Sequence, residues 1–261
     1  MRSPGAHFRR RCSIRKKQSV PRLAALAAAA LAAVVTAASL ARPVFIDRAQ
    51  VVGSIAPPVA ATVPTTDSLA PWLHLPLDAA LGSDRFRRDR EAFALDLIRT
   101  GRVNPIRARS LAEVAVREAY RQRIPPALVL GVMVTENDEF KSQARSAVGA
   151  VGLMQVYGRA WRTSLGRVYG TNLKDDETNI RYGVHILRYM TEQVPDSSGP
   201  EAGWRKALLA YNGCVHGTNT PGCRSYPDAV RQNVQRSARA SCRGLDFRGC
   251  VVEPLWVAMR G

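Results

Sequence analysis

Ala127-Leu128-Val129-Leu130-Gly131-Val132-Met133-Val134-Thr135-Glu136 is an uncharged run closed by a single carboxylate. Pro125 and Pro126 stand in front of it, where proline suits the first helical turn. With no polar stripe, the segment reads as a buried helix. A carboxylate at the end of such a helix loses hydration and sits near the negative end of the helix dipole. Both effects favour the protonated form, which a general acid needs near neutral pH. A solvated glutamate at a helix end would occupy the same position, so the reading depends on what surrounds it.

Downstream comes the glycine-rich stretch Ser146-Ala147-Val148-Gly149-Ala150-Val151-Gly152-Leu153-Met154-Gln155-Val156. Further on stand Asn179-Ile180-Arg181-Tyr182-Gly183 and Ala210-Tyr211-Asn212-Gly213. A glutamate, a Gly-Leu-Met-Gln loop, an Asn-Ile-x-x-Gly helix and an Ala-Tyr-Asn turn, in that order, resemble the soluble lytic transglycosylase family. The resemblance covers about residues 124 to 240. It implies an all-α, lysozyme-like domain that cleaves the bacterial cell wall.

The remaining pattern agrees with an all-α class. Phe86, Phe93, Leu95 and Ile98 recur at roughly helical spacing, with Gly101 as a stop. Ser110-Leu111-Ala112-Glu113 reads as a capping box opening a helix to about Arg123. Further helices are expected from Asp176 or Glu177 to Gln193, from Glu201 to Asn212 and from Asp228 to Ala240. Small β elements are expected only around Gly149.

Net charge is +17, unevenly spread: +9 over residues 1–50, +3 over 51–200 and +5 over 201–261. The excess sits mostly in the leader, which argues against a nucleic-acid binder. Eight basic residues, Arg2 to Arg22, precede the uncharged, alanine-rich stretch Leu23–Ala41. Basic flank, apolar run and the small-residue site Ser39-Leu40-Ala41 describe an export signal over residues 1–42. The stretch is also just long enough for an uncleaved inner-membrane anchor. Either way, the chain from residue 43 is expected outside the cytoplasm, in the periplasm or cell envelope. Residues 43–83 carry six prolines and read as a Pro-rich linker, leaving 84–261 as the domain. Trp72-Leu73-His74-Leu75 is the one part of the linker expected to dock on that domain.

Four cysteines, Cys214, Cys223, Cys242 and Cys250, lie in the exported part. Nearest-neighbour pairing joins Cys214 with Cys223 and Cys242 with Cys250; two other connectivities remain open. With no Cys-x-x-Cys and only His216 nearby, a zinc site is not expected. No phosphate-binding loop appears, so no metal and no cofactor is expected, and a monomer is.

The resemblance places the acid/base role on Glu136. It implies that one carboxyl group suffices, because the muramic C6 hydroxyl attacks C1 internally and leaves a 1,6-anhydro end. Asp138 and Glu139 are expected in a solvated turn. Gln155 offers a two-sided amide to sugar hydroxyls or an N-acetyl group. Met154 is expected to line the groove, Tyr211 to hydrogen-bond or orient Glu136, and Ser146 and Asn212 to contact substrate. Asn137 stands where the family usually has serine and can still donate. The stretch from Glu136 to Ser146 is one residue longer than the commonest family spacing, and Cys214 replaces a usual glycine. The alternatives are a lysozyme-type hydrolase on the same fold and a non-catalytic wall-binding scaffold.

Overall fold

Two consecutive prolines, an apolar run and a terminal carboxylate do form one helix, and the other helices are arranged around it. The computed structural model describes residues 70–214 and 221–260. In chain order the helices are α1 (Leu77–Gly82), α2 (Asp84–Arg99), α3 (Pro105–Arg121), α4 (Pro126–Glu136) and α5 (Gly158–Tyr169). Then follow α6 (Asp176–Glu192), α7 (Gly199–Tyr211), α8 (Tyr226–Ser237) and α9 (Glu253–Arg260), with single-turn helices between. No strand occurs among the described residues. Two isolated antiparallel bridges, Arg145 with Val151 and Val151 with Val156, lie in the glycine-rich loop.

Every residue of α4 from Ala127 to Met133 is buried. Its main partner is α8. The two helices approach so closely at Gly131 that a Cβ there would lie 2.4 Å from Val234 Cγ2 and 3.3 Å from the Val230 carbonyl. Near the end of α4, Asn233 Nδ2 donates to Thr135 Oγ1 at 2.9 Å, and Thr135 donates back to the Gly131 carbonyl at 2.7 Å. Glu136 is thus held at the end of a helix that is fixed along its length.

Two buried acids anchor the C-terminal segment to α2. Asp96 accepts from the Ala240 and Ser241 amides at 2.9 and 2.8 Å and from Ser241 Oγ at 2.8 Å. Asp89 accepts from Tyr120 Oη at 2.7 Å and from Arg243 at 2.6 Å. Buried charge is tolerated when its lone pairs are filled in this way. A disulfide joins Cys242 to Cys250, and another joins Cys214 to Cys223. This is the nearest-neighbour pairing, which resolves the connectivity that sequence left open.

Three sequence expectations change. The linker of residues 43–83 ends earlier: Pro71–His74 form a 3₁₀ turn with Trp72 and Leu73 buried, and α1 follows. Trp72 stacks on Tyr120 with ring centroids 4.5 Å apart, so apolar burial overrides the proline punctuation. The capping box at Ser110 does not open a helix. Asn104 accepts from the Arg107 amide at 2.9 Å and Pro105 takes the first turn, so the stronger start signal lies upstream and Ser110 is interior. The last expected helix starts at Tyr226, ahead of Asp228, and ends at Ser237. The expected leader of residues 1–42 and linker residues 43–69 lie outside the described residues. No described helix is long and apolar enough to cross a membrane.

Replacing an interior helical glycine by alanine normally stabilises by about 1 kcal/mol. At Gly131 the approach of Val234 reverses the sign. Gly131→Ala should destabilise by about 1–3 kcal/mol, the usual cost of overpacking, in a urea titration. A gain in stability would show that α4 and α8 can move apart freely.

Candidate active site

The site begins where α4 stops. Asn137 leaves the helical region at φ −156°, ψ 80°, so the chain turns away directly after Glu136. The half-buried Glu136 carboxylate receives a hydrogen bond from Tyr226 Oη, 2.7 Å from Oε1. Tyr226 is the first residue of α8, so the helix that packs on α4 also delivers a donor to its terminal carboxylate. Burial pushes the Tyr226 phenol well above its ordinary 10.0, and the charge of Glu136 and the nearby Tyr211 add to that. A phenol kept protonated remains a donor.

The glycine-rich loop forms the next wall. Asn179 is buried in α6 and clamps the loop with its whole amide. Nδ2 donates to the Val151 and Leu173 carbonyls at 2.8 and 2.9 Å, and Oδ1 accepts from the Met154 amide at 2.8 Å. Gly152 has φ +83°, and a Cβ there would lie 2.2 Å from Asn179 Nδ2. Only glycine fits the backbone at this point. Four residues along α6, a Cβ on Gly183 would lie 2.3 Å from Met154 Sδ. The Asn-x-x-x-Gly spacing puts both residues on one helix face, and both meet the loop.

The expected contact residues divide into two groups. Met154 does not line the groove: its side chain is fully buried against Gly183, and its carbonyl accepts from Tyr211 Oη at 3.0 Å. Asn137 is buried, with Nδ2 donating to the Lys141 and Gly152 carbonyls at 2.8 and 3.2 Å and Oδ1 accepting from the Lys141 amide at 3.2 Å. Its amide is spent on the turn and the loop, and none is left for a ligand. Tyr211 Oη holds the loop through Met154, and the Tyr226 hydroxyl meets the Glu136 carboxylate.

Gln155 is half-buried and held in the left-handed region at φ 46°. Its Nε2 donates to the Gly152 carbonyl at 2.9 Å, which fixes the amide orientation. Oε1 makes no hydrogen bond among the described residues, so it remains available as an acceptor. Ser146 Oγ accepts from the Ala150 amide at 3.0 Å and keeps its own proton to donate. Asn212 caps α7 and points Nδ2 at the Cys214 sulfur, 3.1 Å away. Asp138 and Glu139 are exposed, and Glu139 pairs with Lys141 at 2.6 Å. Trp161 makes an edge contact with Tyr189 at 5.5 Å and is half-buried.

Tyr226 is the residue that sequence reasoning missed. Ser225-Tyr226-Pro227-Asp228 carries the signal of proline at a helix start; an expected start at Asp228 left the tyrosine in the preceding loop.

Residues 113–222 match the family described as the transglycosylase SLT domain. No curated protein and no solved structure gives a match. The matched segment holds Glu136, the glycine-rich loop, Asn179 and Tyr211, and it stops short of Tyr226.

Two outcomes follow from this geometry. Asn179→Ala strips three buried backbone groups of their partner and should cost about 2–4 kcal/mol. Asn179→Asp should cost at least as much, because it turns a carboxylate toward two carbonyls; urea titration of both variants checks the order. Raising the Tyr226 phenol means the folded state keeps a proton that the unfolded state loses above pH 10.0. That contribution to stability is full below pH 10.0 and falls as pH rises beyond it. Tyr226→Phe should therefore lose less stability between pH 9 and 11 than the parent chain, a difference read from paired urea titrations.

Proposed function

We propose that this chain, through the SLT-type domain of residues 113–222, is a peptidoglycan lytic transglycosylase with Glu136 as its single general acid/base. The bond cleaved is the β-1,4 link from N-acetylmuramic acid to N-acetylglucosamine. The observation that carries the reading is the Tyr226 hydroxyl on Glu136 Oε1. It orients one carboxyl group at the end of an apolar helix. The two acids that follow in sequence, Asp138 and Glu139, are turned to solvent.

In this reading Glu136 starts protonated, with the Tyr226 hydroxyl on Oε1 orienting the carboxyl group. That proton passes to the glycosidic oxygen as the C1–O bond breaks, and the glucosamine O4 leaves as a hydroxyl. The Glu136 carboxylate then takes the proton of the muramic C6 hydroxyl as that oxygen bonds to C1. The enzyme ends in its starting protonation state, and the product carries a 1,6-anhydro ring. Intramolecular attack has an effective molarity of roughly 10⁵ M or more, so neither an enzymic nucleophile nor a bound water is required. Inverting hydrolases need a second carboxylate roughly 6.5–9.5 Å from the acid, and retaining ones need it at roughly 5–5.5 Å. Gln155 Oε1 and the Ser146 hydroxyl present an acceptor and a donor to the sugar. A monomer without a cofactor, exported to the periplasm or held at the inner membrane by its leader, fits this role.

Digestion of purified peptidoglycan by the full chain, beside Glu136→Gln, tests the reading by mass analysis of the products. Anhydro ends, one water lighter than hydrolysed ends, should form and vanish in the variant. Hydrolysed ends would instead make the protein a lysozyme-type hydrolase. Wall binding without any release would make it a scaffold. Tyr226→Phe should slow turnover about 10- to 100-fold, since a hydrogen bond to a charged group is worth about 1.5–3 kcal/mol.

A further inference from the structure

A cleft of about 310 Å³ is lined by Arg99, Arg102, Arg236 and Arg239, together with Asp138 and Asn233. The arginines come from the end of α2, the loop after it, α8 and the single turn beyond α8. Arg102, Arg236 and Arg239 are exposed, and none has an ion pair among the described residues. Arg99 leans toward Asp96 at 3.6 Å but stays 54% exposed. Asp96 is meanwhile occupied by two amides and a hydroxyl. Asp138 is exposed and likewise has no ion pair among the described residues. Four guanidinium groups therefore face two carboxylates, one of them already engaged, which leaves the cleft cationic.

The cleft lies at the same end of α4 as Glu136. Val134 and Asp138, two residues before and two after Glu136, both line it. Asn233, which holds Thr135, lines it as well. Along α8 the cleft lies ~10–15 Å from Tyr226, at 1.5 Å rise per residue over the seven to ten residues to Asn233 and Arg236.

We propose that this cleft binds the peptide stems that hang from the glycan strand whose bond lies at Glu136, an inference that rests on the transglycosylase reading. Stem peptides carry several carboxylates, and the planar guanidinium fork matches a carboxylate with two parallel hydrogen bonds. An unlinked stem also carries an amine, and Asp138 supplies the matching charge. A phosphate polymer would meet the same arginines but would be repelled by Asp138. The mixture of charges therefore favours a zwitterionic peptide.

The test is binding of full-length Glu136→Gln protein, which leaves the glycan uncut, to stem-bearing sacculi and to sacculi stripped of stems by an amidase. Adding Arg102→Gln and Arg236→Gln should weaken binding to stem-bearing sacculi about tenfold, the size of one lost charge-assisted hydrogen bond. Binding to stripped sacculi should change less than twofold, with the thermal midpoint unaltered. In the Glu136→Gln background, Asp138→Asn should weaken competition by a free amine-bearing stem peptide and strengthen competition by polyphosphate. Equal weakening on both sacculi would make the arginines a general grip on glycan, and no weakening would make them a solvated face; either overturns the inference. Polyphosphate displacing the unaltered cleft better than stem peptide would overturn it in favour of a phosphate polymer. If anhydro ends are released by the parent chain while any of these results holds, only the stem contact fails. If no anhydro ends form, the transglycosylase reading fails with it.

Discussion

The hydrogen bond from Tyr226 to Glu136 depends on two helices touching at a point where one of them, α4, has no side chain. Gly131 lets the Val230–Val234 face of α8 lie directly on α4. Helices that meet over side chains sit 8–10 Å apart, whereas small residues allow closer contact. Because α8 is rigid, its approach at Gly131 also sets where its first residue stands. The catalytic candidate is thus positioned by packing several residues away from it, and the Asn233–Thr135 bond adds a polar lock to the same interface.

A second constraint governs the loop wall. A loop of some twenty residues between α4 and α5 would ordinarily be mobile, since ordering each residue costs about 1–2 kcal/mol. Here buried amides serve the loop as a strand partner would. Asn137 ties its start to the Gly152 carbonyl, Asn179 holds the Val151 carbonyl and the Met154 amide, and Tyr211 donates to the Met154 carbonyl. The loop has only isolated bridges of its own, so its shape is imposed by α4, α6 and α7. Gln155 is consequently presented from a fixed backbone, with its Oε1 open to a ligand.

Much of this was legible because the relevant residues report on local rules. An uncharged run opened by two prolines reads as a buried helix, and glycines at 152 and 183 mark sites where nothing larger fits. What the motifs could not reveal was the direction of each side chain. Met154 and Asn137 sit in the motif stretches like ligand contacts, yet the structure spends Met154 on the core and the Asn137 amide on the loop. Tyr226 was invisible for the opposite reason. Its importance comes from a contact across ninety residues, and a single chain carries no local pattern for that. The start of the domain was legible in part: Trp72-Leu73 dock as the sequence suggested, with Trp72 stacked on Tyr120, while Pro71 and Pro76 look like linker punctuation and hid the helical turns there.

The disulfide from Cys214 to Cys223 belongs to the same arrangement. Tyr211 lies three residues before one cysteine and Tyr226 three residues after the other, so the bridge joins the end of α7 to the start of α8 with Cα atoms 5.9 Å apart. Asn212 extends its amide to both sulfurs, at 3.1 and 3.6 Å. Closing so short a loop restricts the unfolded chain by only roughly 2.5 kcal/mol in the chain-entropy treatment, a modest gain in stability. Its larger effect is geometric. The tyrosine that holds the glycine-rich loop and the tyrosine on the acid are fixed relative to each other by a covalent link. Both walls of the site are thereby referred to one point at the junction of α7 and α8, which is why a change at either cysteine should be felt at Glu136 before it is felt in the fold.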